Sequence, residues 1–351
     1  MKTPLHDDAA IIRAMLQEHW QLTVSNIHFI PFGESAYSYR VETDAHTSYY
    51  LKIADRQTSV GIKTAACMGF SLPIQHFVAE YGLAQVTAPL PQLTIQGAYY
   101  ASYGSLLFAL YTFIDGGTLA NAYPMSPDLV RQIGQALAAL HTIQLPAEFQ
   151  QHPPQDSLTA PFDAHLQDDL ASLATISSQD APYLQRLYEI VWPRCEEVRA
   201  FLAHSQEYEQ RARLPQTEIR PVLCHGDPWG GNMTLSPDER FTFLDWEATM
   251  IAPPERDAFF YLNAPGPNFG AFIAGYQAVC PHSVHWHADL LIYYAYRIQL
   301  RNLAQWLHNL LHEPLDEGQR EHDLKMLGFH CLERFAGVER MAQELPAALI
   351  L

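Results

Sequence analysis

Residues 222–232 read VLCHGDPWGGN, and residues 241–247 read FTFLDWE. An aspartate such as Asp227 can orient a hydroxyl group and accept its proton. An amide oxygen (Asn232) and a second carboxylate (Asp245) are hard ligands of the kind Mg²⁺ prefers when phosphates and water complete its shell. Transfer of a γ-phosphoryl group asks for those parts, together with a cation that holds the nucleotide phosphates. Lys52 of YYLKIAD, set between Leu51 and Ile53, offers that cation from a strand-like run. Gly226, Gly230 and Gly231 allow the sharp turns that bring Asp227 and Asn232 to face one cleft.

These groups need a scaffold, and the pattern along the chain predicts one. Ile11, Ile12, Met15, Leu16 and Trp20 recur near helical spacing over residues 7–20. Two short β-like runs joined by PFGES follow over 27–43, and a third strand is expected at 47–55. A helix is expected from about Pro73 to Gly82, and two further strands from LTIQGAYYASY (93–103) and SLLFALYTFI (105–114). DGG at 115–117 breaks the pattern, and strand signals become rare after it. Leu129, Ile133, Leu137 and Leu140 mark a helix at 127–143. More helices are expected near 160–174, 182–204, 268–279, 286–310 and 321–344, with 221–245 as a β-like interruption. The fold class expected is α+β, with a small β-rich N-terminal part (1–111), a connection at 112–117 and a larger, mainly helical part (118–351).

Composition narrows the function classes. The 351 residues are 48% hydrophobic and carry a formal net charge of −17, with 21 basic and 38 acidic residues. Nucleic-acid binding needs a basic surface, so no nucleic-acid partner is expected. A cationic small substrate is compatible with that charge. No apolar run is long enough for a membrane-spanning helix, and the first twenty residues carry acids where a signal peptide needs an apolar core. Five scattered cysteines without CxxC spacing read as reduced thiols, so a cytoplasmic setting is expected. Among the 17 histidines, no HExxH motif or tight His/Cys cluster is visible in sequence.

The run from Cys224 to Asp257, HGDPWGGN followed by LDWE and APPERD, resembles the aminoglycoside phosphotransferases. Within that family it is most similar to the spectinomycin phosphotransferase branch. The specific motifs span about residues 222–257, with weaker support at 33–52 and 108–117, while the element order matches over nearly the whole chain. The resemblance implies a bilobal protein-kinase-like fold and an ATP- or GTP-dependent, Mg²⁺-dependent enzyme, active as a monomer or homodimer. It implies Asp227 as catalytic base, Asn232 and Asp245 as Mg²⁺ ligands, and Lys52 as the phosphate-contacting lysine. It further implies that His225 supports the catalytic loop from inside and that Asp257 is a structural aspartate. Gly33 and Ser35 fall in the nucleotide-covering loop, and main-chain groups near Thr112 and Ile114 would meet the purine edge. Three departures stand out: no acid follows Lys52 on the next helix until Glu80, the covering loop has one glycine rather than several, and Glu247 stands where protein kinases have glycine. Glu247 reads either as an acid backing the metal site or as a solvated loop residue.

The acceptor is open at this level. An aminoglycoside or aminocyclitol such as spectinomycin leads; a metabolic kinase of choline, homoserine or sugar-alcohol type and a nucleotide-binding pseudokinase are the alternatives. Tyr294 and Arg297 in LIYYAYRIQLRN read either as acceptor-pocket residues or as helix core. Asp115, Asp156, Asp163, Asp168 and Asp169 read as receptors for a polyamine or as solvated faces and caps.

Overall fold

The alternating runs between residues 24 and 112 form a five-stranded antiparallel sheet, the centre of an α+β architecture. The computed structural model describes residues 3–5, 8–31, 35–147, 149, 154–213 and 220–349. They divide into two compact units: Met1–Pro124 with Ile143–Pro154 and His225–Met250, and Met125–Thr142 with Gln155–Cys224 and Ile251–Leu351. Both units are discontinuous in sequence, and neither corresponds to a single cut at residues 112–117.

In the first unit, helix α1 (Asp8–Trp20) precedes strands β1 (Val24–Phe29), β2 (Tyr37–Thr43) and β3 (Ser48–Asp55). Helix α2 (Ser59–Tyr81) follows, then β4 (Val86–Thr87), β5 (Ala101–Tyr103) and β6 (Leu106–Thr112). The sheet order is β1-β2-β3-β6-β5. Successive strand residues point to opposite faces, and the two faces are covered by different helices. Leu51, Ile53, Phe108 and Leu110 pack with Ile12, Met15, Leu16 and Trp20 of α1. Ala54, Leu107, Ala109 and Tyr111 pack with Met68 and Leu72 of α2. Lys52 lies opposite Ala109 in register and so shares the α2 face.

Two expectations change here. Helix α2 begins at Ser59, not near Pro73. Thr58 caps it by accepting the Gly61 N–H at 3.0 Å, and a Cβ at Gly61 would meet Asp55 O at 1.9 Å. Pro73 lies inside the helix; burial of Met68, Leu72, Ile74 and Val78 offsets the backbone hydrogen bond it removes. Of LTIQGAYYASY, only Ala101–Tyr103 is strand. Its first half is a turn in which Gly97, at φ +79°, donates to Thr94 O.

In the second unit, α3 (Pro127–His141) is capped by Ser126. The expected helix at 160–174 is α4 (Asp163–Ser172). The expected single helix at 182–204 is two, α5 (Pro182–Val191) and α6 (Cys195–Ala212), because Pro193 has no N–H to continue the ladder. Strand β7 (Val222–Cys224) then leads the chain into the returning segment of the first unit, with β8 (Met233–Leu235) and β9 (Phe241–Phe243) paired antiparallel and β4 parallel to β9. Back in the second unit come α7 (Glu255–Ala258), α8 (Pro267–Val279), α9 (Ala288–His312), α10 (Glu317–Met326) and α11 (Phe335–Ala348). Helices α3 and α8 approach closely at reciprocal glycines: a Cβ on Gly134 would meet Phe272 O at 2.5 Å, and one on Gly275 would meet Arg131 O at 2.0 Å. Helix α9 is largely buried and packs on α4, α6, α10 and α11.

Glu255 of α7 is buried, with Oε1 accepting the His287 N–H at 3.0 Å. Its Oε2 is buried with no hydrogen-bond partner among the described residues. Burial pushes this carboxyl up to about 7 from an ordinary value of 4.5, against the opposing pull of the His287 N–H. As pH rises from 4.5 to 7, the unfolded chain therefore loses a proton that the folded chain keeps, and stability falls through that window. Above about pH 7 the penalty is constant, of the order of 3 kcal/mol. Glu255→Gln should remove it. Urea unfolding at pH 4.5 and pH 7.5 checks this: the variant should gain on the wild type at the higher pH, and equal gains at both would sink the assignment.

Candidate active site

His225, Asp227, Asn232 and Asp245 are brought together by the backbone around β8 and β9. His225 is fully buried, edge-on to Phe243 and Trp246. Its Nε2 donates to Leu244 O at 2.8 Å, and its Nδ1 accepts the Asp227 N–H at 3.3 Å. A carbonyl can only accept and an amide N–H can only donate, so the tautomer is set, with the proton on Nε2. Leu244 in turn donates its N–H to Asn232 O at 2.8 Å. Two of these hydrogen bonds tie the loop that carries Asp227 and Asn232 to the strand end that carries Asp245, and the third, from the Asp227 N–H to His225, holds the loop on itself. Gly226 makes the loop possible: its φ is +85°, and a Cβ there would meet Ala248 O at 2.0 Å.

Asp227 is half-buried. Asn232 Nδ2 donates to both Asp227 O (3.0 Å) and Asp227 Oδ2 (3.1 Å). The amide nitrogen fixes the orientation of the aspartate. Asp245 adopts a left-handed backbone (φ +61°) at the turn after β9. Such a conformation is uncommon for aspartate and re-aims its side chain relative to the strand.

Lys52 is 7% exposed. Its ammonium donates to Asp245 Oδ1 at 2.8 Å and to Glu247 Oε1 at 2.5 Å. Burial would lower the Lys52 pKa, but the two carboxylates outweigh it and hold the group well above its usual value. Against burial, the Lys52 charge and hydrogen bonds hold the Asp245 carboxyl well below the usual range. Glu247 moves the other way: burial and the neighbouring Asp245 charge push it up. One cation between two acids leaves an excess of negative charge, and Glu247 is the less solvated of the two acids, its side chain 20% exposed against 48% for Asp245.

The partner of Lys52 was therefore not on the following helix. Glu80, the first acid there, faces His76 at 3.2 Å instead. Glu247 takes the place of the helix acid, and the solvated-loop reading of this residue is set aside. Its Oε2 is buried without a hydrogen-bond partner among the described residues. In chemical type, the Asn232 amide oxygen and the Asp245 carboxylate, with the orphaned Glu247 oxygen near Lys52, are hard oxygen donors of the kind Mg²⁺ takes.

At the end of β6, the Thr112 N–H donates to Leu90 O at 3.0 Å, and Thr112 Oγ1 accepts the Leu90 N–H at 2.9 Å. Ile114 is half-buried two residues on. Ser35 is half-buried at the start of the run into β2, and Gly33 lies outside the described residues. Sequence reasoning passed over Trp229 and Tyr123. Trp229 is 40% exposed within the Asp227–Asn232 loop. The Tyr123 hydroxyl accepts the Gly230 N–H at 3.0 Å, and a Cβ on Gly230 would meet Leu119 O at 2.6 Å. A tryptophan between two functional positions of such a loop was the available signal.

Three expected residues belong to the second unit. Asp257 is fully buried and accepts His141 Nε2–H at 3.0 Å, while His141 Nδ1 faces the Tyr276 hydroxyl at 2.7 Å. Tyr294 is 1% exposed and donates its hydroxyl to Asp156 Oδ2 at 3.1 Å. Arg297 Nη1 donates to Asp156 Oδ1 at 2.8 Å and Oδ2 at 3.1 Å. Asp156 is accordingly a buried counter-ion.

A sequence model of the phosphotransferase enzyme family APH matches residues 26–290. Protein StrN of Streptomyces griseus is 27% identical over 236 residues, which cover 66% of this chain and 67% of StrN. Spectinomycin phosphotransferase APH(9)-Ia, solved in complex with ADP and spectinomycin, superposes with a TM-score of 0.74 at 17% identity, over 98% of this chain and 99% of that one. An ethanolamine kinase of Plasmodium vivax superposes with a TM-score of 0.56 at 16% identity, over 89% and 83% of the two chains. At these identities the structural likeness is one of fold: α+β and kinase-like. Among the described residues, no helix is long and apolar enough to cross a membrane.

Proposed function

Because this chain belongs to the phosphotransferase enzyme family APH, we propose that it moves the γ-phosphoryl group of ATP or GTP onto a hydroxyl of a small molecule, with an aminoglycoside or aminocyclitol such as spectinomycin as the leading acceptor. The observation that carries this reading is the constellation of Asp227, Asn232, Asp245, Glu247 and Lys52, held by the His225–Leu244–Asn232 hydrogen bonds. A binding module has no need of all five groups in that arrangement.

Asp227 accepts the proton of the acceptor hydroxyl through the carboxylate that Asn232 orients. The acceptor oxygen forms its bond to the γ-phosphorus as the bond from that phosphorus to the bridging oxygen breaks, and the nucleoside diphosphate leaves. Lys52, released in part from Asp245 and Glu247, meets the negative phosphates. Asn232 and Asp245, with Glu247 behind them, would hold Mg²⁺, which neutralises phosphate charge when bound. Thr112 has its N–H engaged by Leu90, so its carbonyl is what it offers a purine, with the Ile114 main chain beside it. Ser35 serves the phosphate end. Trp229 gives an exposed ring for stacking on an acceptor.

Two sequence features support a cationic acceptor in a cytoplasmic setting: the net charge of −17 and the five cysteines without CxxC spacing. The test is a nucleotide-consumption assay with Mg²⁺ across aminoglycosides, spectinomycin, macrolides, choline, ethanolamine, homoserine and sugar alcohols. Turnover with an aminocyclitol or aminoglycoside is the expected result. Turnover confined to choline, ethanolamine or homoserine would replace the acceptor class, and tight nucleotide binding with no turnover on any acceptor would favour a pseudokinase.

A further inference from the structure

Away from the phosphotransfer residues, α9 carries His308 and His312 and α4 carries Asp169. The i,i+4 spacing puts both imidazoles on one face of α9, with ring centroids 4.6 Å apart. Asp169 is 5% exposed, yet both its oxygens meet these rings. Oδ2 lies 3.3 Å from His308 Nδ1, and Oδ1 lies 2.7 Å from His312 Nε2. A ligand atom from each of the three residues falls within 4.8 Å of the others. The histidine side chains are 39% and 45% exposed, so an ion reaches them from solvent. The ion pairs found for Asp169 among the described residues are with these two rings. A buried carboxylate flanked by two partly exposed imidazoles is a position that favours a cation.

We propose that Asp169, His308 and His312 bind one borderline divalent transition-metal ion of the Zn²⁺ type, which staples α4 to α9. Zinc bonds of about 2.0–2.1 Å in tetrahedral geometry put neighbouring ligand atoms roughly 3.3–3.4 Å apart. The separation of His308 Nδ1 from Asp169 Oδ2 already has that value; His312 Nε2 meets the other oxygen, Oδ1, at 2.7 Å, so an ion held through one oxygen requires that imidazole to shift. Two imidazole nitrogens and one carboxylate suit Zn²⁺, Ni²⁺ or Co²⁺, whereas Mg²⁺ prefers an all-oxygen shell. The site is thus distinct in chemistry from the oxygen set of Asn232, Asp245 and Glu247. Water completes the shell on the exposed side. The ligands lie 139 and 143 positions apart in sequence, so the ion closes a long loop and stabilises the folded chain by mass action.

The experiment titrates ZnCl₂ into the chelator-treated, nucleotide-free full chain by calorimetry and follows thermal unfolding with and without Zn²⁺. The wild type is compared with His308→Gln/His312→Gln; both positions lie on an exposed helix face, and the metal-free circular dichroism of the two proteins should coincide. The wild type should show a Zn²⁺ site that the variant binds at least about 100-fold more weakly, and a Zn²⁺-dependent rise in Tm that the variant lacks. Co²⁺ should give tetrahedral visible absorption in the wild type alone. If the double variant misfolds, His308→Gln and His312→Gln taken singly should each weaken the same site. No Zn²⁺ binding by the wild type would reduce the cluster to hydrogen bonds. Equal binding by wild type and variants would place the ion on other histidines. Either result overturns the proposal.

Discussion

Asp227→Asn is expected to lower kcat by about 10²–10⁴-fold, the range typical of removing a general base. The substitution is close to isosteric, and its side-chain oxygen can still accept from Asn232 Nδ2. His225 binds the backbone N–H of residue 227 rather than the side chain, so the loop should keep its shape. Nucleotide affinity should change little, because Lys52, Asp245 and Glu247 are untouched. Steady-state kinetics with the best acceptor, beside calorimetry with a nucleotide, separates the two effects. Loss of both kcat and nucleotide binding would mean that the loop had collapsed. Full activity would show that Asp227 is not the base.

Asp156→Ala is expected to cost about 3–5 kcal/mol of stability, the cost of leaving one member of a buried ion pair uncompensated. The Asp156 side chain is 1% exposed and that of Arg297 is 19% exposed. Removal strands the guanidinium and the Tyr294 hydroxyl together. Burial would raise the Asp156 carboxyl, but the Arg297 charge and hydrogen bonds outweigh it and hold it below its ordinary value of 3.8. Its stabilisation is therefore present above about pH 4 and lost as pH falls toward the folded-state value. Urea unfolding at neutral pH measures the loss, and Asp156→Ala/Arg297→Met should recover part of it. A single variant as stable as the wild type would show that water, not Asp156, satisfies Arg297.

The same cluster limits what Tyr294 and Arg297 can do for an acceptor. The Tyr294 hydroxyl and one guanidinium nitrogen are committed to Asp156, so any contact with substrate falls to the other guanidinium N–H groups. In sequence these residues read as pocket or, more readily, as helix core. Helical spacing reports which face of α9 a side chain occupies; the long-range carboxylate that engages it is invisible to a local pattern.

What the sequence determined by itself is local. The HGDPWGGN and LDWE runs supply the carboxylates and amide proposed as base and metal ligands, because a loop of that chemistry needs its residues at short spacing. The strand alternation around Lys52 and the helical periodicity of residues 127–141 carry the α+β class, because each element must bury one face. What the tertiary structure decided is long-range. The chain passes through Pro73 as helix because packing against β3 and β6 outweighs one missing N–H. Lys52 is engaged by Asp245 and Glu247, 193 and 195 positions away, rather than by an acid on α2. Asp169 meets His308 and His312 across separations that no window along the chain contains. Pairings of this kind depend on which surfaces come together on folding, and burial then makes each charge seek whatever partner the fold supplies.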